Sequence, residues 1–320
     1  MALLKIKPYD NTFFRDGNKF DKDFSTVVSG KNTPYPSVFW GAIFTTLLSE
    51  NDEFRENYMS PTSKCNIDEI LQIKQVYIHN EKEDKTYIKT PLDLFINEKG
   101  EVKKGKFVKI ENSSLTMGYM LEIPEGDFER VDKKYIRLNN IFDAYKKNQS
   151  IRIGLLDESE IFKKNHKIGL GINVNSKIAE ESMLYKIEQT EFTNNDWSYI
   201  IEYELKDNKI LQNGNLRLGG EGKIAKYEEV KNIRDINDYI NLRDTFTIPN
   251  TAKIVITSET YFEINDDKSI NEKKKEETKS INSIFEKEGL NIKLHKFYSA
   301  NDRDAAFQSG NMDGVIIDFT

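Results

Sequence analysis

The stretch best equipped for chemistry is Leu216-Arg217-Leu218-Gly219-Gly220-Glu221-Gly222-Lys223. It holds three of the chain's 17 glycines within four residues, flanked by Arg217 and Lys223. Glycine has no Cβ, so its backbone reaches φ > 0 and can approach a ligand closely. Successive backbone N–H groups in such a turn form a concave anion site, and flanking cations suit a phosphate. The same residues also read as a tight hairpin with two exposed charges. The local sequence leaves both readings open.

Other chemistry finds less support. Gly100–Lys106 has the spacing of the G-x-x-x-x-G-K-[ST] loop, but Phe107 stands where a Mg²⁺-ligating hydroxyl must be. The three histidines, His79, His166 and His295, lie apart from cysteine and from H-x-x-x-H spacing. Asp157, Glu158 and Glu160 cluster without a partner at a spacing that would place it opposite them. No G-x-S-x-G elbow occurs. The single cysteine, Cys65, excludes an intrachain disulfide and a multi-cysteine zinc site. Arg217–Gly222 resembles the Gly-Gly-Asp/Glu-Glu-Phe hairpin of nucleotide cyclases. Gly222 and Lys223 replace the second acid and the residue after it, so a two-metal site would lose a carboxylate and gain a cation. The expectation is a chain with no catalytic residue, no metal and no cofactor.

The elements that must position the glycine-rich stretch are legible in part. Residues 3–7 alternate and predict an edge or outer strand. Tyr9–Gly17 is an aromatic and charged loop, in which one of Phe13 and Phe14 can anchor while Arg15 faces a partner. Trp40, Ile43, Phe44, Leu47 and Leu48 fall on one face of a helix over Val38–Leu48, with Ser37 as N-cap. Two strands, Gln75–Asn80 and Thr86–Thr90, flank the turn at Glu81–Lys85. An amphipathic helix spans Tyr135–Lys147. Strands follow at Lys167–Asn175, Leu184–Phe192 and Trp197–Leu205, with the turn Asn194-Asn195-Asp196 between the last two. A short helix face around Ile281–Phe285 and strands at Ile254–Thr257, Ile292–Phe297 and Val315–Phe319 close the chain. A first strand, a long helix and then paired strands suggest an α+β chain of two ferredoxin-like (RRM-like) domains with loop and hairpin insertions. The division expected is 1–150 and 151–320, with the glycine-rich loop in the second.

The 320 residues suffice for two domains. A formal net charge of −6 argues against a uniformly basic nucleic-acid binder, but 47 Lys and Arg leave room for a local basic groove. No basic-then-apolar leader opens the sequence, and no apolar run reaches membrane-spanning length. A cytoplasmic protein without a membrane partner is the expectation.

Several pieces stand in one order: Phe13-Phe14-Arg15-Asp16-Gly17; Pro34-Tyr35-Pro36-Ser37-Val38 with Gly41-Ala42; Pro91-Leu92-Asp93; Ile168-Gly169-Leu170; Ala179–Tyr185; and Leu218–Gly222. Together, over about residues 9–225, they resemble the third-subunit family of the type III-B CRISPR effector (Cmr) complexes, within the RAMP superfamily. The equivalent subunit of type III-A complexes is a near neighbour. The resemblance implies a non-catalytic scaffold that binds the 5′ handle of the CRISPR RNA. Its implied partners are the large palm-domain subunit and the adjacent backbone RAMP subunit. RNA-binding positions would be Arg15, Lys19, Lys31, Arg217, Gly219, Gly220, Gly222 and Lys223, with Phe13, Phe14 and Tyr35 packing beneath or stacking. The tail from Gly310 to Thr320 departs from the family's Pro-Ala-Gly-Ser-type ending. Two alternatives are a RAMP endoribonuclease that processes CRISPR RNA, with His166 as its candidate base, and a degenerate nucleotide cyclase.

Overall fold

The computed structural model describes residues 2–15, 27–59, 70–109, 119–146, 150–172, 179–206, 211–244, 253–255, 260–261, 296–299, 311–312 and 315–318. It is a mixed α/β chain whose sheets are largely antiparallel. The chain divides into two discontinuous compact units. Unit 1 holds Met1–Thr86 and Glu158–Ile233, and unit 2 holds Tyr87–Asp157 and Arg234–Thr320. The sequential division at 150 is not this one, because the N-terminal strand pairs with strands far along the chain.

Unit 1 contains β1 (Ala2–Pro8), β2 (Val27–Val28), α1 (Pro36–Glu50), α2 (Asp52–Met59), β3 (Leu71–Asn80), β4 (Phe162–Ile172), β5 (Ala179–Phe192), β6 (Trp197–Leu205), β7 (Asn213–Leu218) and β8 (Lys223–Val230). Five strands stand in the order β3-β6-β1-β8-β7, all antiparallel. β1 is therefore interior, not the edge strand expected from its weak alternation. Leu3, Leu4 and Ile6 are all buried, so it is covered on both faces. β3, β6, β1 and β8 have the spatial order of a β-α-β-β-α-β plan. The helix that plan needs before its last strand is not found among the described residues, where β7 stands instead.

α1 covers one face of this sheet with Phe39, Ala42, Ile43, Phe44, Thr46 and Leu47. The Phe39 ring meets Tyr199 edge-on at 5.4 Å, and the Trp40 indole N–H donates to Leu71 O at 2.8 Å. Ser37 is not the N-cap. The helix already begins at Pro36, after Tyr35, because proline's fixed φ suits the first helical position and its missing N–H costs nothing there. Asn51 then accepts from Phe54 N–H at 2.9 Å and caps α2.

β4 and β5 form a long hairpin in a separate sheet, where β2 runs parallel to β5. The turn Asn194–Asp196 thus joins two sheets and does not pair β5 with β6. β6 keeps the bounds expected for it, but its partners are β3 and β1.

In unit 2, strands Ile151–Arg152, Glu101–Lys104, Leu94–Asn97 and Phe128–Arg130 form one antiparallel sheet. Gly100 therefore turns a β-hairpin, with no strand-to-helix phosphate loop. The helix expected at Tyr135–Lys147 spans Leu138–Lys146, and Tyr135 belongs to the preceding strand. It packs on a second helix, Arg234–Asp244, with the Phe142 and Tyr239 rings 5.7 Å apart. Arg137 and Asn139 hold Asp235 at 2.8–3.0 Å in that helix's first turn, where a carboxylate also suits the dipole. Lys253–Val255, Val315–Asp318 and Lys296–Ser299 pair in a small sheet. The expected helix face at Ile281–Phe285 lies outside the described residues.

Candidate functional site

The glycine-rich stretch is the turn of the β7–β8 hairpin, with Leu218 paired to Lys223. Gly219, Glu221 and Gly222 have φ of 69°, 64° and 60°. Gly219 and Gly222 adopt the left-handed region freely, whereas Glu221 is held there at a cost of about 1–2 kcal/mol.

What fills the concave side of this turn is the chain itself. Phe13–Arg15 runs along it, and Gly220 N–H donates to Phe13 O at 2.9 Å. A Cβ on Gly219 would lie 2.8 Å from Phe13 O and 2.8 Å from the Phe14 ring. A Cβ on Gly220 would lie 3.0 Å from the Phe13 ring. These two glycines are small because Phe13 and Phe14 press on them. Phe14 is buried, at 3% exposure, and Arg15 beside it is exposed. The loop is anchored by one ring while its cation faces outward.

The same segment also meets residues 30 and 31. Arg15 bridges Gly30, and Lys31 N–H donates to Phe14 O at 2.8 Å. A Cβ on Gly30 would lie 2.5 Å from Glu188 O, so this position also needs glycine for close approach. Thr12 and Thr190 exchange backbone hydrogen bonds, both of 2.8 Å, which ties the segment to β5. The Thr190 hydroxyl has two acceptors within reach of its one proton, Lys31 O at 3.2 Å and Asn32 Oδ1 at 3.0 Å.

The expected binding positions other than Arg15 gather around this segment unevenly. Lys31, Gly219 and Gly220 touch Phe13–Arg15 directly. Arg217 and Gly222 lie just outside it, with the Arg217 Cδ 3.8 Å from where a Gly222 Cβ would be. Lys223 starts β8, its ammonium 3.6 Å from Asp10. Lys19 lies outside the described residues.

The charges are not equivalent. Arg217 is exposed and has no carboxylate within ion-pair reach among the described residues. The Lys31 ammonium sits 4.2 Å above the Tyr35 ring, a cation–π contact at the start of α1. Lys223 is partly neutralised by Asp10. Sequence reasoning missed a clamp beside them. Glu221 accepts from the Lys167 ammonium at 2.7 Å and from Gln189 at 3.2 Å, joining the turn to the β4–β5 hairpin. The hydrogen bond to Glu221, and then its charge, raise the Lys167 pKa. No local pattern pointed to this clamp, since its three residues come from three strands or turns.

The remaining candidates for chemistry resolve simply. His79 is buried, 3.1 Å from the Thr86 hydroxyl. His166 is exposed on β4 opposite Glu188, whose carboxylate takes Lys164 at 2.7 Å. His295 and Cys65 lie outside the described residues. Among the described residues no group of three or more His, Cys, Asp or Glu could hold a metal ion. No described helix is long and apolar enough to cross a membrane.

The family model for "CRISPR-associated protein (Cas_Cmr3)" matches residues 4–296, which covers residues of both units. No curated protein matches the chain. Solved structures similar to it include a chain of the type III-B Cmr-beta complex bound to cognate target RNA and AMPPnP, at 16% identity and a TM-score of 0.41. That likeness covers 72% of this chain and 63% of the other. A chain of Cmr-beta bound to cognate target RNA has 14% identity over 99% of this chain and 84% of the other, with a TM-score of 0.44. One from the apo state has 12% identity over 72% and 98%, with a TM-score of 0.31. Such low overlaps carry no weight by themselves, whereas the family match spans nearly the whole chain. The chain belongs to the CRISPR-associated protein (Cas_Cmr3) family.

Proposed function

We propose that this chain is a non-catalytic, RNA-binding subunit that holds the 5′ handle of the CRISPR RNA through the surface around Phe13–Arg15. The observation that carries the reading is the convergence on one segment. Gly220 and Lys31 bond to the successive carbonyls of Phe13 and Phe14, and Arg15 beside them is exposed. Arg217 and Lys223 flank the turn that seats the segment. Single-stranded RNA is held by cations and backbone donors on its phosphates, with bases splayed onto side chains. A local group of this kind needs no basic pI. Because Gly220 N–H is already bonded to Phe13 O, the phosphate contacts fall to side chains more than to the glycine amides.

Family membership supports the remaining roles: docking of the large palm-domain subunit and of the neighbouring backbone RAMP subunit. It also supports reading unit 1 as a modified ferredoxin-like domain, with β7 in place of a helix. No described acid–base pair or metal cluster favours catalysis by this chain.

The test uses the assembled complex. Arg217→Ala with Lys223→Ala is expected to weaken nuclease protection of the 5′ handle. It should also lower the salt dependence of guide binding by roughly 0.7 in log–log slope for each phosphate no longer neutralised. Full protection with an unchanged slope would sink the site assignment.

A further inference from the structure

A second surface in unit 1 lies beyond the glycine turn. Tyr9 leaves β1 beside Pro8, and the residue is 65% exposed. It is nonetheless fixed at both ends. Its N–H donates to Ile224 O at 3.2 Å, and its hydroxyl donates to Asn215 Oδ1 at 3.1 Å. To make both bonds, the side chain lies across β8 and reaches β7. An exposed tyrosine usually keeps its rotamer freedom. Here that freedom is given up while a large part of the ring still faces water.

Beside the ring runs an open groove of about 610 Å³, lined by Tyr9, Gln212, Asn213, Asn215, Lys226 and Glu228 among others. Three of these side chains are primary amides, on exposed positions in or just before the outermost strand of the sheet. Asn215 uses only its oxygen, toward Tyr9. Among the described residues its NH₂ and the amides of Gln212 and Asn213 have no hydrogen-bond partner. Each amide offers both donors and acceptors, which is what the edge of a heterocyclic base requires.

The charge pattern favours the same occupant. Glu228 and Glu229 also line the groove. Glu228 is engaged by Lys5 and by Lys226 at 3.2 Å, and the lining sets Lys226 and Lys231 against Glu228 and Glu229, so the groove carries little net charge and would not attract a bare polyanion. Cations stand nearby. Arg217 is the next outward residue of β7 after Asn215, and Lys231 follows β8. Both are exposed, without a carboxylate within ion-pair reach among the described residues. Exposed cations beside neutral amides match phosphates flanking an uncharged ring.

We propose that this groove binds a short unpaired stretch of nucleic acid, with one base stacked on the Tyr9 ring and its edge against the amides of Asn213 and Asn215. The proposal rests on the RNA-binding reading above and adds to it a place where a base, and not only a phosphate, is held.

The experiment measures binding of fluorescent decauridylate and decaadenylate to the full chain at low salt, with inorganic polyphosphate as a base-free competitor. Tyr9→Leu is expected to weaken both oligonucleotides about tenfold, as for the loss of one base–aromatic stack, and to leave polyphosphate competition unchanged. Tyr9→Phe keeps the ring and should stay within about threefold of the parent. Asn215→Ala frees the tyrosine and removes one amide, and should change the preference between the two oligonucleotides. Parental binding by Tyr9→Leu overturns the proposal but leaves the phosphate-binding reading intact. Equal loss of oligonucleotide and polyphosphate binding also overturns it, since a stack with a base cannot affect a base-free chain. If the parent binds neither oligonucleotide, the proposal fails as well. The handle-protection test with Arg217 and Lys223 then judges the broader reading separately.

Discussion

Two hairpins in unit 1 use the same pair of residues with different consequences. In β4–β5, Gly169 stands opposite Tyr185; in β7–β8, Gly214 stands opposite Tyr227. In both, the tyrosine ring lies over the glycine. A Cβ on Gly169 would come within 2.1 Å of the Tyr185 ring, and one on Gly214 within 2.7 Å of the Tyr227 hydroxyl. By distance alone Gly169 is the tighter site. The surroundings reverse that ranking. Tyr185 is only half-buried, so its ring is less closely confined. Tyr227 is buried at 1% exposure, and its hydroxyl donates to Glu50 of α1 at 2.7 Å. A close contact is costly only when neither partner can move.

The turn between β7 and β8 gives the largest expected effect. Gly219→Ala would put a Cβ 2.8 Å from Phe13 O, which is backbone, at a φ of 69°. Left-handed strain and overpacking together should cost about 3 kcal/mol. Chemical denaturation of the full chain would measure it. A loss under about 1 kcal/mol would mean that the Phe13–Phe14 segment does not seat on the turn.

The two cross-strand pairs come next. Gly214→Ala should cost about 2 kcal/mol, because Tyr227 must abandon Glu50 or α1 must shift. Gly169→Ala should cost less than about 1 kcal/mol, because Tyr185 yields. Comparing denaturation midpoints of the two variants checks the ranking. If Gly169→Ala is the worse, the β4–β5 hairpin is more rigid than the burial of Tyr185 implies.

The smallest effect separates the tyrosines by charge. Burial, followed by the hydrogen bond to Glu50 and its charge, raises the Tyr227 phenol above its ordinary value. A group raised in the folded state contributes its stability in full below its unfolded pKa, near 10, and loses it as the pH rises beyond. The chain should therefore weaken in alkali. Tyr227→Phe should remove part of that dependence at a cost of about 1 kcal/mol at neutral pH. Urea midpoints measured from neutral to alkaline pH would show it. An unchanged alkaline slope would mean that Tyr227 does not stay closed in the core.

The amino-acid sequence by itself determined where several regular elements lie, but not which faces they bury: β6 is buried on both faces. Alternation in Trp197–Leu205 marked β6 to the residue, and helical spacing from Trp40 to Leu48 marked α1. Turn residues marked the ends of β3 and β6. The ordered motifs from Phe13 to Gly222 pointed to the family. These signals are local, because the period of burial is set by the geometry of each element.

Pairing was decided only in the tertiary structure. Nothing in residues 3–7 shows that β1 is interior, and nothing near Asn194–Asp196 shows that the turn joins two sheets. The helix Arg234–Asp244 went unread, since its core contacts come from the helix at Leu138–Lys146. The same holds at the site. Three glycines and two cations were visible, but the identity of what they approach was not. Gly219 and Gly220 are small because Phe13 and Phe14, from the far end of unit 1's sequence, fill the space beside them. Close approach is a property of two segments at once, and a sequence read along its length shows one segment at a time.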